Sequence, residues 1–181
     1  LARAETTGRT LPTEIIDLAH IVTEVVQDSV PRAMDKQIDL GYDGPSEVPP
    51  ECLMDGNPTL LSELVRNLVD NAINYTPSSS DKPGIITARV LADTFGRVLL
   101  LQVEDSGPGV PESERELVFQ PFYRALGTDA DGSGLGLPIV LEIARQHSAE
   151  IMLEEAHPGQ QPPGLRFTLR FPALDMPPNQ G

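Results

Sequence analysis

Residues 57–77, NPTLLSELVRNLVDNAINYTP, constrain the fold more than any other stretch. Asn57 followed by Pro58 reads as a helix N-cap with proline at the first helical position, and the helix is predicted to run to about Tyr75, ahead of Pro77. At roughly 100° per residue, Leu61, Leu64, Val65, Leu68, Val69, Ala72 and Ile73 fill one side. Such a face must be covered by an apolar surface of similar extent. Glu63, Asn67, Asp70, Asn71 and Asn74 share an arc of about 100° on the other side. A solvated face normally mixes Lys with Glu; this one has three Asn, two acids and no Lys. Asn is a mediocre helix former, so the stripe costs stability unless it serves a purpose. Carboxamide oxygens can hold a hard cation, and amide N–H groups can reach phosphate oxygens. An exposed polar face ending in a capping Asn is the plainer alternative.

The rest of the chain supplies the cover. Its 181 residues suffice for one ordinary domain. With aromatics at 4% and no Trp, the core must be aliphatic. A net charge of −14 argues against a nucleic-acid binder and against contact with an anionic membrane. The one cysteine, Cys52, cannot form an internal disulfide or build a metal site alone. The longest strongly apolar run, VLLL at 98–101, is far short of a membrane span, and no signal-peptide pattern opens the chain. The first residue is Leu1 rather than Met, so a piece of a longer polypeptide is expected.

Pro and Gly divide the chain. Residues 1–16 read as a polar lead-in. A helix capped by Asp17 carries Leu18, Ile21, Val22, Val25, Val26, Val30, Ala33 and Met34 at helical spacing, and Pro31 is expected to kink it or end it early. Strands are expected at 37–43 and 52–56, and a hairpin at 85–92 and 97–105. Residues 111–119 read as a short helix with an acidic start. A glycine-rich stretch at 127–136 leads into another helix, and strands at 150–156 and 165–172 close the pattern. The tail from Asp175 is expected to be disordered. The fold class is α+β, with helices on one face of a largely antiparallel sheet.

Two glycine loops can approach a ligand. In EDSGPGVPE (104–112), Gly107 and Gly109 permit a sharp turn after a strand, and Asp105 can accept from an exocyclic amine; an ordinary strand-to-helix turn explains it equally. In DGSGLGLPIV (131–140), Gly132, Gly134 and Gly136 precede an apolar helix, where successive N–H groups form an anion site; a flexible hinge is the alternative. It matches neither a Walker pattern nor a βαβ dinucleotide fingerprint. Between the loops, Phe119, Phe122 and Tyr123 cluster beside Arg124, which suits either a phosphate clamp or a surface Arg beside core aromatics.

In this order the elements resemble the ATP-binding catalytic domain of bacterial sensor histidine kinases, within the wider ATPase superfamily that includes gyrase, MutL and heat-shock chaperones. ELVRNLVDNAINYTP is similar to the N box, EDSGPGVP to the first glycine box, VFQPFYRA to the F box, GSGLGLPIV to the second glycine box and GLRFTLRFP to the closing strand. The resemblance implies a two-layer α/β sandwich of the Bergerat type, a catalytic domain over 17–174, and a lead-in at 1–16 from an upstream dimerisation and phosphoacceptor hairpin. It implies ATP between the 58–75 helix and a lid over 119–133. Asn67 would ligate Mg²⁺, with Asn71, Asn74 and Tyr75 lining the nucleotide region. Asp105 would bind the adenine amine, with Gly107, Gly109 and Val110 shaping the base pocket. Gly132, Ser133, Gly134, Leu135, Gly136 and Leu137 would embrace the phosphates with Arg124. Thr168 would support Asp105 or a bridging water. Glu63 would stand where hydrolytic relatives activate water.

Two departures bear on affinity. Asn74 stands where relatives often carry Lys, and the lid is short and acidic (Asp129, Asp131), so weak nucleotide binding is expected. None of His20, His147 and His157 is followed by the acidic residue of a phosphoacceptor motif, so the acceptor should lie upstream. The expected partners are ATP, that hairpin and, through the parent protein, a response-regulator receiver domain, with no nucleic acid and no direct membrane contact. The expected setting is the cytoplasmic part of an inner-membrane sensor. A gyrase- or MutL-type hydrolase and a degenerate, non-enzymatic module are the competing classes.

Overall fold

The computed structural model describes residues 12–121 and 136–174. Five strands form the main sheet in the order β2 (Asp39–Asp43), β4 (Ile85–Asp93), β5 (Val98–Asp105), β7 (Leu165–Pro172) and β6 (Glu150–Glu155). The β2–β4 pair is parallel and the other pairs are antiparallel. A second, two-stranded sheet pairs β1 (Glu14–Ile16) with β3 (Met54–Gly56). Residues 14–16, read from the sequence as lead-in, are therefore bonded into the domain.

Three helices, α1 (Leu18–Asp35), α2 (Pro58–Tyr75) and α3 (Gly136–Gln146), cover one face of the main sheet. Both predicted N-caps form: Asp17 Oδ1 accepts from the Ala19 and His20 N–H groups, and Asn57 Oδ1 accepts from Leu60 N–H. All seven aliphatic residues of the α2 face are buried, among strand residues such as Ile86, Leu99, Leu101, Leu169 and Phe171. Period-2 alternation in β5 sends Leu99, Leu101, Val103 and Asp105 to the helix side. Leu68 is fully buried in this core. Leu68→Ala should lower the unfolding free energy by about 2–5 kcal/mol in a urea titration, through lost transfer energy and the cavity left behind.

Two local expectations are corrected: α1 does not end at Pro31, and residues 111–119 are not α-helical. Helix α1 runs through Pro31 for another turn. That turn is held from outside: Ala33 is buried in the core, Arg32 bonds Asp70 and Asn74, and Lys36 Nζ donates to the Ile73 carbonyl (2.6 Å). Residues 111–119 form two 3₁₀ turns, Glu112–Glu114 and Leu117–Phe119, instead of an α-helix. Glu112, Glu114 and Glu116 leave no apolar stripe to bury, and Val118 is the segment's one buried residue.

The sheet face away from the helices is polar. Arg89 donates to Asp43 (3.1 Å), Gln102 (3.2 Å) and Glu104 (3.2 Å), and Arg166 Nε donates to Glu104 (2.9 Å). Burial pushes the Glu104 carboxyl up, but the hydrogen bonds from the two guanidiniums outweigh it and hold it below the usual carboxylate range.

Where α1 and α2 begin, a buried histidine ties the layers together. His147, just beyond α3, donates from Nδ1 to the Ile143 carbonyl (2.8 Å), and its Nε2 accepts from the Asn57 N–H (3.1 Å). The Asn57 side chain in turn donates to the Pro12 carbonyl (2.9 Å). Among the described residues, no helix is long and apolar enough to cross a membrane.

Candidate functional site

The end of β5 meets the end of α2 at a glycine turn. Asp105 is 8% exposed, and its Oδ1 accepts from the Gly107 N–H (2.8 Å) and the Leu165 N–H (3.2 Å). Both bonds fall on Oδ1, and no hydrogen bond from a described residue reaches Oδ2. Burial pushes the carboxyl up to about 6, against the downward pull of the two N–H donors, with Glu104 adding a further upward push. A buried acceptor with one oxygen already oriented by the backbone is suited to a single amine donor.

The turn itself leaves little room. A Cβ on Gly107 would lie 3.1 Å from both Asp105 Oδ1 and the Tyr75 carbonyl oxygen, so the loop abuts the last residue of α2. Gly109 has φ +78°, and a Cβ there would lie 3.0 Å from the Gly164 carbonyl. Gly164 N–H donates to the Gly107 carbonyl (2.9 Å), stitching the first glycine loop to the start of β7. Val110 packs against the core, and its carbonyl accepts from Arg115 Nε (3.2 Å). Tyr75 is half-buried.

The polar stripe of α2 divides in two. Asn67 faces the start of α3, where a Cβ on Gly136 would sit 3.8 Å from its carboxamide, and the neighbouring Leu137 packs on the core. Asn67 Nδ2 is buried with no hydrogen-bond partner among the described residues, and so is the hydroxyl of Thr76, which caps α2. Each such group costs about 1–3 kcal/mol, a cost that a bound polar ligand would remove. Asn71, half-buried, is one turn along from Asn67. Asp70 and Asn74 point toward α1: Arg32 donates to Asp70 Oδ1 and, through Nη2, to Asn74 Oδ1 (3.1 Å).

Some expected members are not brought to this place. Thr168 pairs with Gln102 and bonds its side chain (3.2 Å) on the outer sheet face, whereas Asp105 points to the helix face; Thr168 does not support that carboxylate. Glu63 is exposed and lines a groove of about 490 Å³ between α1 and α2, with Ile21, Glu24 and Arg66. The expected positions Phe122, Tyr123, Arg124, Gly132, Ser133, Gly134 and Leu135 lie outside the described residues. Three participants went unread in the sequence: Leu165, through its N–H; Gly164, which carried only its place in a Pro/Gly loop; and Arg32, which carried no signal of its contact with α2.

Residues 56–175 match the family described as histidine kinase-, DNA gyrase B-, and HSP90-like ATPase. A signal transduction histidine-protein kinase/phosphatase MprB from Mycobacterium avium is 35% identical over 158 residues, covering 87% of this chain and 29% of that protein. The Mycobacterium tuberculosis protein of the same name is 38% identical over 123 residues, 67% of this chain and 23% of that one. The chain thus spans less than a third of the length of these curated relatives. Among solved structures, a mycobacterial sensor histidine kinase MprB is 28% identical with a TM-score of 0.75, over 91% of this chain and all of that one. The catalytic domain of histidine kinase ThkA shares the fold at 24% identity, with a TM-score of 0.71 over 90% of this chain and 99% of that one. The chain belongs to the histidine kinase-, DNA gyrase B- and HSP90-like ATPase family and is an ATP-binding catalytic domain of the sensor histidine kinase type.

Proposed function

We propose that this domain holds ATP with the adenine amine on Asp105 and the phosphates beside Asn67 and Asn71, and donates the γ-phosphate to a histidine on an upstream helical hairpin of the parent protein. The observation that carries the reading is the Asp105 carboxylate, buried at a strand end with Oδ1 fixed by two backbone N–H groups. Gly107 lets the turn pass close to Asp105 and the end of α2, and Gly109 lets it pass close to Gly164, without a side chain to crowd a ligand.

Asn67 fits a magnesium ion. Its carboxamide has a buried, unpartnered end, and a half-turn about Cβ–Cγ presents oxygen at the same place. Magnesium takes few protein ligands and fills the rest of its shell with phosphate and water oxygens, so one carboxamide suffices. When bound, it would neutralise phosphate charge. From sequence position, Arg124 and the loop of Gly132, Ser133, Gly134 and Leu135 are assigned to the phosphates, and Asn74 and Tyr75 to the edge of the pocket.

In the transfer, an imidazole nitrogen of the acceptor forms the N–P bond while the bond from the γ-phosphorus to the bridging oxygen breaks and ADP leaves. The chain's own residues contribute position and charge rather than a covalent intermediate. Glu63, on the α1 side of its helix, is assigned no proton transfer. Use of ATP places the domain in the cytoplasm, with a receiver domain downstream of the phosphohistidine.

Mixing the chain with a separate acceptor hairpin and γ-labelled ATP tests the proposal. Label on the hairpin is the expected result. Free phosphate alone would indicate a hydrolase, and neither product from folded, nucleotide-bound protein would indicate a non-enzymatic module. ATP affinity measured in Mg²⁺ should be weaker than micromolar; a submicromolar Kd would contradict the charge argument from Asn74 and the acidic lid.

A further inference from the structure

The nucleotide reading leaves a charge unaccounted for. The stripe on α2 carries Glu63 and Asp70 and no cation of its own, yet magnesium-bound ATP keeps a negative charge of about two. One described cation has its bonds on that stripe. Arg32, reaching from the last turn of α1, donates one guanidinium nitrogen to Asp70 and the other to Asn74, across 38 and 42 residues of sequence. Lys36, one turn further on, is committed to the Ile73 carbonyl. Asn74 is three residues from Asn71, so the side chain that Arg32 holds neighbours, on the same helix, one assigned to the phosphates.

A guanidinium has five N–H donors in a fixed fork, and the two bonds to α2 leave three. The Arg32 side chain is 48% exposed, so those donors remain open to an incoming oxyanion. Asp70 and Asn74 fix the fork in place; because the pair with Asp70 carries no net charge, the guanidinium cancels the stripe's acid and offers a phosphate oriented N–H donors. Resting on the ATP reading above, we infer that Arg32 is a phosphate-recognition residue of the site, supplied by α1 and oriented by Asp70 and Asn74, and that it favours polyphosphates over the bare nucleoside.

The test compares ligands by calorimetry at low salt. Arg32→Ala should weaken magnesium-ATP binding about tenfold or more while leaving adenosine binding within about twofold. Adding Asn74→Lys to Arg32→Ala puts an ammonium where the guanidinium lands and should recover most of the ATP affinity. Equal losses for ATP and adenosine, or a lowered Tm with no rescue by Asn74→Lys, would overturn the inference and leave Arg32 as a clamp between helices. Unchanged ATP affinity in Arg32→Ala would overturn it as well. If the unaltered protein binds neither ligand, the ATP reading itself fails, which is a distinguishable outcome.

Discussion

Asp105→Asn should give a domain that melts several degrees higher than the parent and binds ATP about a hundredfold more weakly. The substitution preserves shape and keeps an oxygen for the Gly107 and Leu165 N–H groups, so the turn survives. It removes a charge whose burial costs free energy. With the carboxyl raised from 3.8 to about 6, that cost at pH 7 is roughly 3 kcal/mol. The sign follows from linkage. The folded state binds this proton more tightly than the unfolded chain, so this group's contribution is most favourable below pH 3.8 and is lost as pH rises through about 6. Between pH 8 and pH 5 the parent should therefore gain on Asp105→Asn, and the gap in Tm should narrow. Binding runs the other way. The carboxylate accepts the adenine amine, whereas a carboxamide holding both backbone donors on its oxygen turns N–H toward that amine, at about 3 kcal/mol. ATP affinity of the parent should fall below about pH 6 for the same reason. Equal Tm in the two proteins, or unaltered ATP binding by Asp105→Asn, would refute the assignment.

Gly164→Ala should be the most damaging single methyl in the described structure. Gly164 has φ +71°, and a Cβ there would overlap the Asp105 carbonyl oxygen and lie 3.1 Å from Ala156 Cβ. The left-handed backbone costs roughly 1–2 kcal/mol for alanine, and the overlap with fixed backbone adds to it. A loss of about 3 kcal/mol or more is expected, together with loss of ATP binding, because the strand end carrying Asp105 must shift. Gly159→Ala is the control. Its φ of +84° is equally unusual, but nothing lies within 4 Å of a Cβ there. It should cost about 1 kcal/mol and leave binding intact. Similar behaviour of the two variants would mean that backbone conformation alone, rather than the contact with Asp105, matters at Gly164.

What could be read from the chain was local. The caps at Asp17 and Asn57, the seven-residue apolar face of α2 and the alternation of β5 depend on neighbours within a few residues, and each was legible. Asp105 was legible because a strand and a glycine turn bracket it. Thr168 was misplaced although β7 itself carried the answer: Leu165, Phe167, Leu169 and Phe171 alternate inward, which leaves Thr168 with Arg166 and Arg170 on the outer face. Pro31 misled for a different reason: the helix beyond it is kept by bonds to α2 rather than by propensity. The stripe of Asn and acid drew attention as one surface, yet the fold divides it, half toward α3 and half toward α1. That division needed the positions of two other helices.

The small β1–β3 sheet and the hydrogen bond from Asn57 to Pro12 have a mechanical consequence. The entering strand, the cap of α2 and the histidine behind α3 form one block. A swivel of this domain against whatever it serves cannot pivot at Asp17, where the first helix starts, without tearing that block. Residues 12–17 are thereby tied to the foot of the asparagine helix, through the β1–β3 pairing and the Asn57–Pro12 bond.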